Sequence, residues 1–140
     1  MELMLKKMKD AFNSFSYLVN LDLKDSNLNL DVKIIDAIEN GLAQKFEYTS
    51  ELCWKLIKKF LFEKDGIDAK SPKSAVKEFY TTGYINEKDY NIMLQLIDSR
   101  NKLSHIYDEE EFKTIISDMK KYDLVFKKVI DIVEKSITVK

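Results

Sequence analysis

The chain is poor in the residues that build rigid chemical centres and tight turns. A single cysteine, Cys53, cannot close an internal disulfide, and a single histidine, His105, cannot supply a two-histidine metal cluster. A metal-free and cofactor-free protein of the cytoplasm is therefore expected. Three glycines and one proline in 140 residues leave little material for hairpin turns. Long apolar runs are missing too. Residues 1–20 carry charges throughout, so neither a signal peptide nor a membrane span is expected. Positive charge is not in excess: 23 basic residues meet 24 acidic ones, for a net charge of −1. Such a chain has no global field to hold nucleic acid, and any RNA contact must be local.

What remains is helical periodicity. Leu5, Met8, Phe12, Phe15, Leu18 and Val19 recur at three- and four-residue steps, which predicts an amphipathic helix over 2–20. The polar stretch Asp22 to Asn29 reads as a connection. From Asp31 to Lys64 apolar positions keep one helical period, and Gly41 within it costs near 1 kcal/mol relative to alanine, which leaves room for a kink. Asp65-Gly66 is a stop signal. Ser71-Pro72 opens a short helix that closes at Gly83, and Asn86 starts another that runs through Leu103. Asp108 and Glu111 have capping-box spacing, and the stripe from Phe112 to Val133 predicts one helix to the C-terminus. No segment alternates with period two. The expectation is an all-α fold, an antiparallel four-helix bundle with an additional short helix, in one domain over 1–140.

Two constellations carry chemistry. The segment Asp98-Ser-Arg-Asn-Lys-Leu-Ser-His-Ile-Tyr-Asp108 holds the only arginine and the only histidine; every other basic residue is lysine. Arg100 and His105 lie about 140° apart on an ideal helix, so they converge only if the helix ends near Ser104 or if two chains contribute. An imidazole can take a proton from a ribose 2′-hydroxyl while a guanidinium holds the phosphate, which suffices for metal-independent RNA cleavage. The competing reading is an arginine–carboxylate bridge plus a histidine at a helix end. The second constellation is Gln44, Glu47, Tyr48, Glu51, Trp54 and Lys55, a polar-aromatic stripe that could line a cleft for a base and ribose, with Glu47 or Glu51 orienting Arg100. A solvated helix face with one half-buried tryptophan is the alternative. Cys53, on an apolar stretch, reads as core rather than nucleophile. The lysine pairs Lys58-Lys59, Lys120-Lys121 and Lys127-Lys128 form at most a weak phosphate-steering patch.

The block Gln44 to Lys55, the Ser71-Pro72 pair and the block Arg100 to Asp108, in this order and at these distances, resemble the nucleotidyltransferase substrate-binding protein family of the HEPN superfamily. The resemblance covers about residues 3–137. It implies a helical, usually dimeric protein encoded beside a minimal nucleotidyltransferase and in complex with it, in a toxin–antitoxin-like module. In ribonucleases of this superfamily the arginine and histidine of an Arg-x4–6-His motif are catalytic, with a polar residue after the arginine. Arg100, Asn101 and His105 fit that pattern. In HepT-like toxins the motif extends to Arg-x4-His-x-Tyr and the partner transfers AMP to the tyrosine, a role that would fall to Tyr107. The block Gln44 to Lys55 points to the substrate-binding branch, with Gln44, Glu47, Tyr48, Glu51 and Trp54 as candidates for substrate or nucleotide contact. The resemblance thus leaves two versions open, a metal-independent endoribonuclease acting on RNA and a noncatalytic partner subunit. A plain helical interaction protein with a structural Arg/His pair is the reading from a different class.

Overall fold

The computed structural model describes residues 1–25, 27–105 and 108–138. Within them are six helices: α1 (Glu2–Val19), α2 (Val32–Asp65), α3 (Pro72–Thr81), α4 (Glu87–Leu103), α5 (Glu109–Ser117) and α6 (Met119–Thr138). Most of the starts have a local cause. The Asp31 carboxylate accepts the Ile34 N–H at 2.9 Å, the Asn86 amide oxygen accepts the Asp89 N–H at 2.8 Å, and Ser71 and Ser74 cap α3 reciprocally ahead of Pro72. Helix α2 runs through Gly41 without a break and stops at Gly66, whose φ of 68° lets the chain turn left-handed.

Contacts between the helices fix their directions. Lys45 donates to the Ser14 hydroxyl and the Thr49 hydroxyl to the Ala11 carbonyl, so α1 and α2 run antiparallel. Ser99 meets Tyr122 while Asp89 meets Lys128, so α4 and α6 are antiparallel as well. Lys9 pairs with Glu134 and Phe15 packs on Phe126, which sets α6 against α1 in the same sense. The ring α1, α2, α4, α6 is the expected antiparallel four-helix bundle, with α3 packed outside on α2 and α4. Its centre is aromatic: Phe15, Phe46, Tyr122 and Phe126 are fully buried with ring centroids 5.3 to 6.3 Å apart. Phe60, Phe79 and Tyr84 form a second cluster beneath α3.

The stripe after Asp108 is two helices, not one. At Asp118 the backbone turns (φ −90°, ψ −3°) and its N–H reaches the Ile115 carbonyl three residues back, at 3.1 Å. Its carboxylate accepts from Gln95 of α4 at 3.2 Å and sits 3.4 Å from Lys121, which holds the break against α4. Buried Ile115, Met119 and Tyr122 keep their three- and four-residue steps across it, so periodicity does not register the interruption. The cap also differs in detail. Asp108 accepts the Glu110 N–H at 3.0 Å rather than that of Glu111. No helix among the described residues is long and apolar enough to cross a membrane.

Candidate functional site

The site is built where α2 and α4 cross and α3 closes the side. Arg100, in the last turn of α4, places Nη2 2.9 Å from Oε2 of Glu51 on α2. The other Glu51 oxygen faces Lys55 Nζ at 3.2 Å, one helical turn further on. Partial burial works against ionisation of Glu51, but Lys55 and Arg100 outweigh it and hold its carboxyl below the usual carboxylate range. The Trp54 indole N–H contributes from nearby without reaching hydrogen-bond geometry.

Beside this pair lies a pocket of about 30 Å³, room for one or two water-sized groups. Its polar lining is incomplete in an informative way. Ser50 Oγ, Trp54 Nε1 and Arg100 Nε are each buried without a hydrogen-bond partner among the described residues, and all three residues line this one concavity. A buried polar group left unpaired costs about 1–3 kcal/mol, so three on one small wall mark a place where an incoming polar group recovers that energy. The guanidinium is divided: Nη2 is committed to Glu51, while Nε has no partner among the described residues. Asn101 completes the rim, and Val76, Met93, Leu96 and Ile97 supply the apolar part. Cys53 also lines it, but the thiol is 3% exposed and burial pushes it up to about 12, so it stays protonated and unreactive as the sequence implied.

Of the residues expected at a site, Glu51, Trp54, Arg100 and Asn101 are therefore brought together. Tyr48 is not. It is 59% exposed and lines a separate hollow with Lys7, Asp10 and Ser14 of α1. Six residues of helix put Tyr48 and Trp54 about 120° apart, so a stripe built from steps of three and four drifts off a single face. Gln44 is exposed and Glu47 half-buried, both outside the pocket lining. Helix α4 does end at Leu103, the condition for Arg100 and His105 to approach, and His105 lies exposed just beyond with its N–H on the Lys102 carbonyl at 2.9 Å. Tyr107 falls outside the described residues. Ser50 was not singled out in the sequence, although its four-residue spacing from Trp54 puts both on one face.

Comparison with known proteins bears on the fold and the family. No curated protein matches the sequence. Among solved structures, a Thermus thermophilus protein superposes with a TM-score of 0.78 at 23% identity, over 90% of this chain and 98% of that one. A Haemophilus influenzae protein described as having the fold of a substrate-binding domain of a nucleotidyltransferase gives 0.78 at 24% identity, over 93% and 98%. A Shewanella oneidensis HEPN toxin, solved tri-AMPylated and in complex with its MNT antitoxin, gives 0.71 at 11% identity, over 94% of each chain. At these identities the likeness shows a shared fold. The model of the family described as nucleotidyltransferase substrate binding protein like matches residues 3–135, nearly the whole chain, and the protein belongs to that family.

Proposed function

We propose that this protein is the substrate-binding partner subunit of a minimal nucleotidyltransferase, in a two-component module of toxin–antitoxin type. The observation that carries this reading is that three buried polar atoms without a partner among the described residues, Ser50 Oγ, Trp54 Nε1 and Arg100 Nε, belong to residues that line one pocket beside the Glu51–Arg100 pair. A structural arginine–carboxylate bridge needs none of the three. A site that receives a polar or anionic group from a ligand needs donors of this kind, already desolvated and held in place by packing. The family membership supports a nucleotidyltransferase partner, and the reading takes this protein as a homodimer. Co-expression with the nucleotidyltransferase encoded beside this gene, followed by size-exclusion and sedimentation analysis, tests the reading. A stoichiometric complex is the expected result. The absence of any such reading frame, or two species that do not associate at tens of micromolar, overturns it.

A ribonuclease version of the same module is favoured by one observation, the end of α4 at Leu103 that leaves His105 exposed next to the turn bearing Arg100. In that version His105 takes the 2′-hydroxyl proton and Arg100 holds the phosphate with Asn101 beside it; the 2′-oxygen bonds to phosphorus as the bond to the 5′-oxygen breaks, that oxygen leaves with a proton from a second imidazole, and the product carries a 2′,3′-cyclic phosphate. With one histidine per chain, separate acid and base imidazoles require two protomers at one phosphate. Tyr107, two residues past His105, is the proposed AMP acceptor by which the partner would silence the site.

A further inference from the structure

The pocket beside Arg100 is small, rich in donors and singly charged, and the three properties together select a ligand group. Its volume of about 30 Å³ holds at most two water-sized atoms. Two oxygens fit there; the three terminal oxygens of a phosphate monoester do not, and neither does a ring. Three lining residues each carry a buried polar atom without a partner among the described residues, Ser50 Oγ, Trp54 Nε1 and Arg100 Nε. An indole N–H and a guanidinium N–H only donate, and a serine hydroxyl can donate, so the set is completed by an acceptor. A carboxamide would bring N–H groups of its own against these donors, whereas a carboxylate brings only lone pairs.

Charge narrows the choice in the same direction. Of the two ionisable residues in the lining, Arg100 and Cys53, only the arginine is charged, because the buried thiol stays protonated. Arg100 shares Glu51 with Lys55, so two cations face one carboxylate and one positive charge is left over. Lys73 of α3 and Asp98 of α4 close on each other at 3.0 Å and add nothing to the balance. The excess matches a monoanion and falls short of the nearly double charge of a phosphate monoester. Around the polar groups, Val76 of α3 and Met93, Leu96 and Ile97 of α4 supply an apolar wall, which suits an aliphatic stem.

We propose that this pocket seats the carboxylate of a short aliphatic acid, its oxygens on Ser50, Trp54 and Arg100 and its stem on the α3–α4 wall. The inference rests on the substrate-binding reading and names the chemical class of that substrate, an acid rather than a phosphate. It also separates that reading from the ribonuclease version, in which Arg100 meets a phosphate. Ser50 becomes a specificity residue: 4% exposed and unpaired among the described residues, it gives the bundle no side-chain hydrogen bond and gains one when the acid arrives.

The test uses the full-length protein without its partner. Trp54 is the only tryptophan and lines the pocket, so its emission is the readout, with calorimetry as the second. Formate, acetate and propionate, titrated at fixed ionic strength, should each saturate in the millimolar range, the affinity that so few atoms allow. Acetamide and chloride should give no saturable change, and inorganic phosphate should bind at least tenfold more weakly than acetate. Ser50→Ala should weaken acetate binding at least threefold at an unchanged unfolding temperature, since it removes no bond from the free protein. Arg100→Lys, which keeps a cation for Glu51, should weaken it at least tenfold, while Tyr48→Ala, in the separate hollow against α1, should leave it unchanged. No saturation by any of the three acids, an equal response to acetamide or chloride, phosphate tighter than acetate, or undiminished affinity in both pocket variants would overturn the proposal. Acetate added to the complex with the nucleotidyltransferase distinguishes two sources of the same group: it displaces the partner if the carboxylate is a side chain of the partner, and leaves the complex intact if it belongs to a free acid. Complex formation is otherwise measured in the absence of acetate, so a stoichiometric complex beside failed titrations sinks the acid site and leaves the partner reading standing.

Discussion

Cys53 offers a direct measure of how dry the wall of the candidate pocket is. Burial raises its thiol from an ordinary value near 9 to about 12. A thiol whose folded pKa is raised contributes stability that is complete below the unfolded pKa and is lost as pH rises toward the folded one. At pH 10.5 the unfolded chain has ionised its cysteine while the folded chain has not, which costs roughly 1.5 pH units at 1.36 kcal/mol each, or about 2 kcal/mol. With a urea slope near 2 kcal/mol/M the unfolding midpoint should fall by about 1 M between pH 8.5 and 10.5 from this group alone. Buried Tyr122 and half-buried Tyr84 are also shifted upward and add to the alkaline loss, but Cys53→Ala removes only the thiol contribution. The difference between the two pH slopes is therefore the quantity to measure, by urea titration at 25 °C. Absorbance near 240 nm in the folded protein should rise no more than that of Cys53→Ala over the same range, since tyrosinate formation is common to both. Parallel slopes for wild type and Cys53→Ala, or rapid alkylation of the folded protein at pH 8.5, would show that water reaches the pocket wall and would refute the reasoning.

Tyr122→Phe leaves the buried Ser99 hydroxyl without its 2.8 Å partner and should cost about 1–2 kcal/mol, as should Ser99→Ala, whereas the double variant should cost less than the sum because neither group is then orphaned. Glu51 is held below the usual carboxylate range, so its contribution is present above about pH 4.3 and lost as pH falls below it; Glu51→Gln should flatten the acid side of the stability profile. If the module contains a ribonuclease, Arg100→Ala and His105→Ala should each abolish cleavage with little change in unfolding temperature, and EDTA should not inhibit; cleavage that survives both substitutions assigns the activity elsewhere. Incubation with the neighbouring nucleotidyltransferase, ATP and Mg²⁺ should add AMP to the intact mass, and Tyr107→Phe should abolish the addition; an unmodified mass beside an active transferase removes Tyr107 from the site.

Helix starts were legible because each depends on a few adjacent residues. Asp31, Ser71, Asn86 and Asp108 all cap the helices expected of them, and the bundle follows from stripes whose spacing is local. The break at Asp118 was not, because it is held by Gln95, 23 positions away, while the buried stripe passes over it unchanged. The same distinction separates the parts of the site. Glu51 and Trp54 could be nominated from their spacing on α2, and Arg100 from being the only arginine. Which of the stripe's residues meet Arg100 depends on how α2 rolls against α4, and the roll that buries Ser50 turns Tyr48 toward α1.

That roll also bears on what the arginine is for. Lysine in place of Arg100 could hold the Glu51 carboxylate, since a single donor at 2.9 Å is all that contact uses. It could not at the same time present a second donor from another edge of a rigid plane, which is what Arg100 Nε, without a partner among the described residues, supplies beside the pocket. In a chain that otherwise relies on lysine for its basic side chains, the position that needs two donors in fixed relation is the one that carries the guanidinium. Glu51 then serves as the fixed counter-charge that orients the plane, and Lys55, which shares that carboxylate, sets how fully Glu51 is committed to Arg100. Substituting Lys55 should accordingly alter ligand contact at Arg100, an effect that a purely local role for the lysine does not produce.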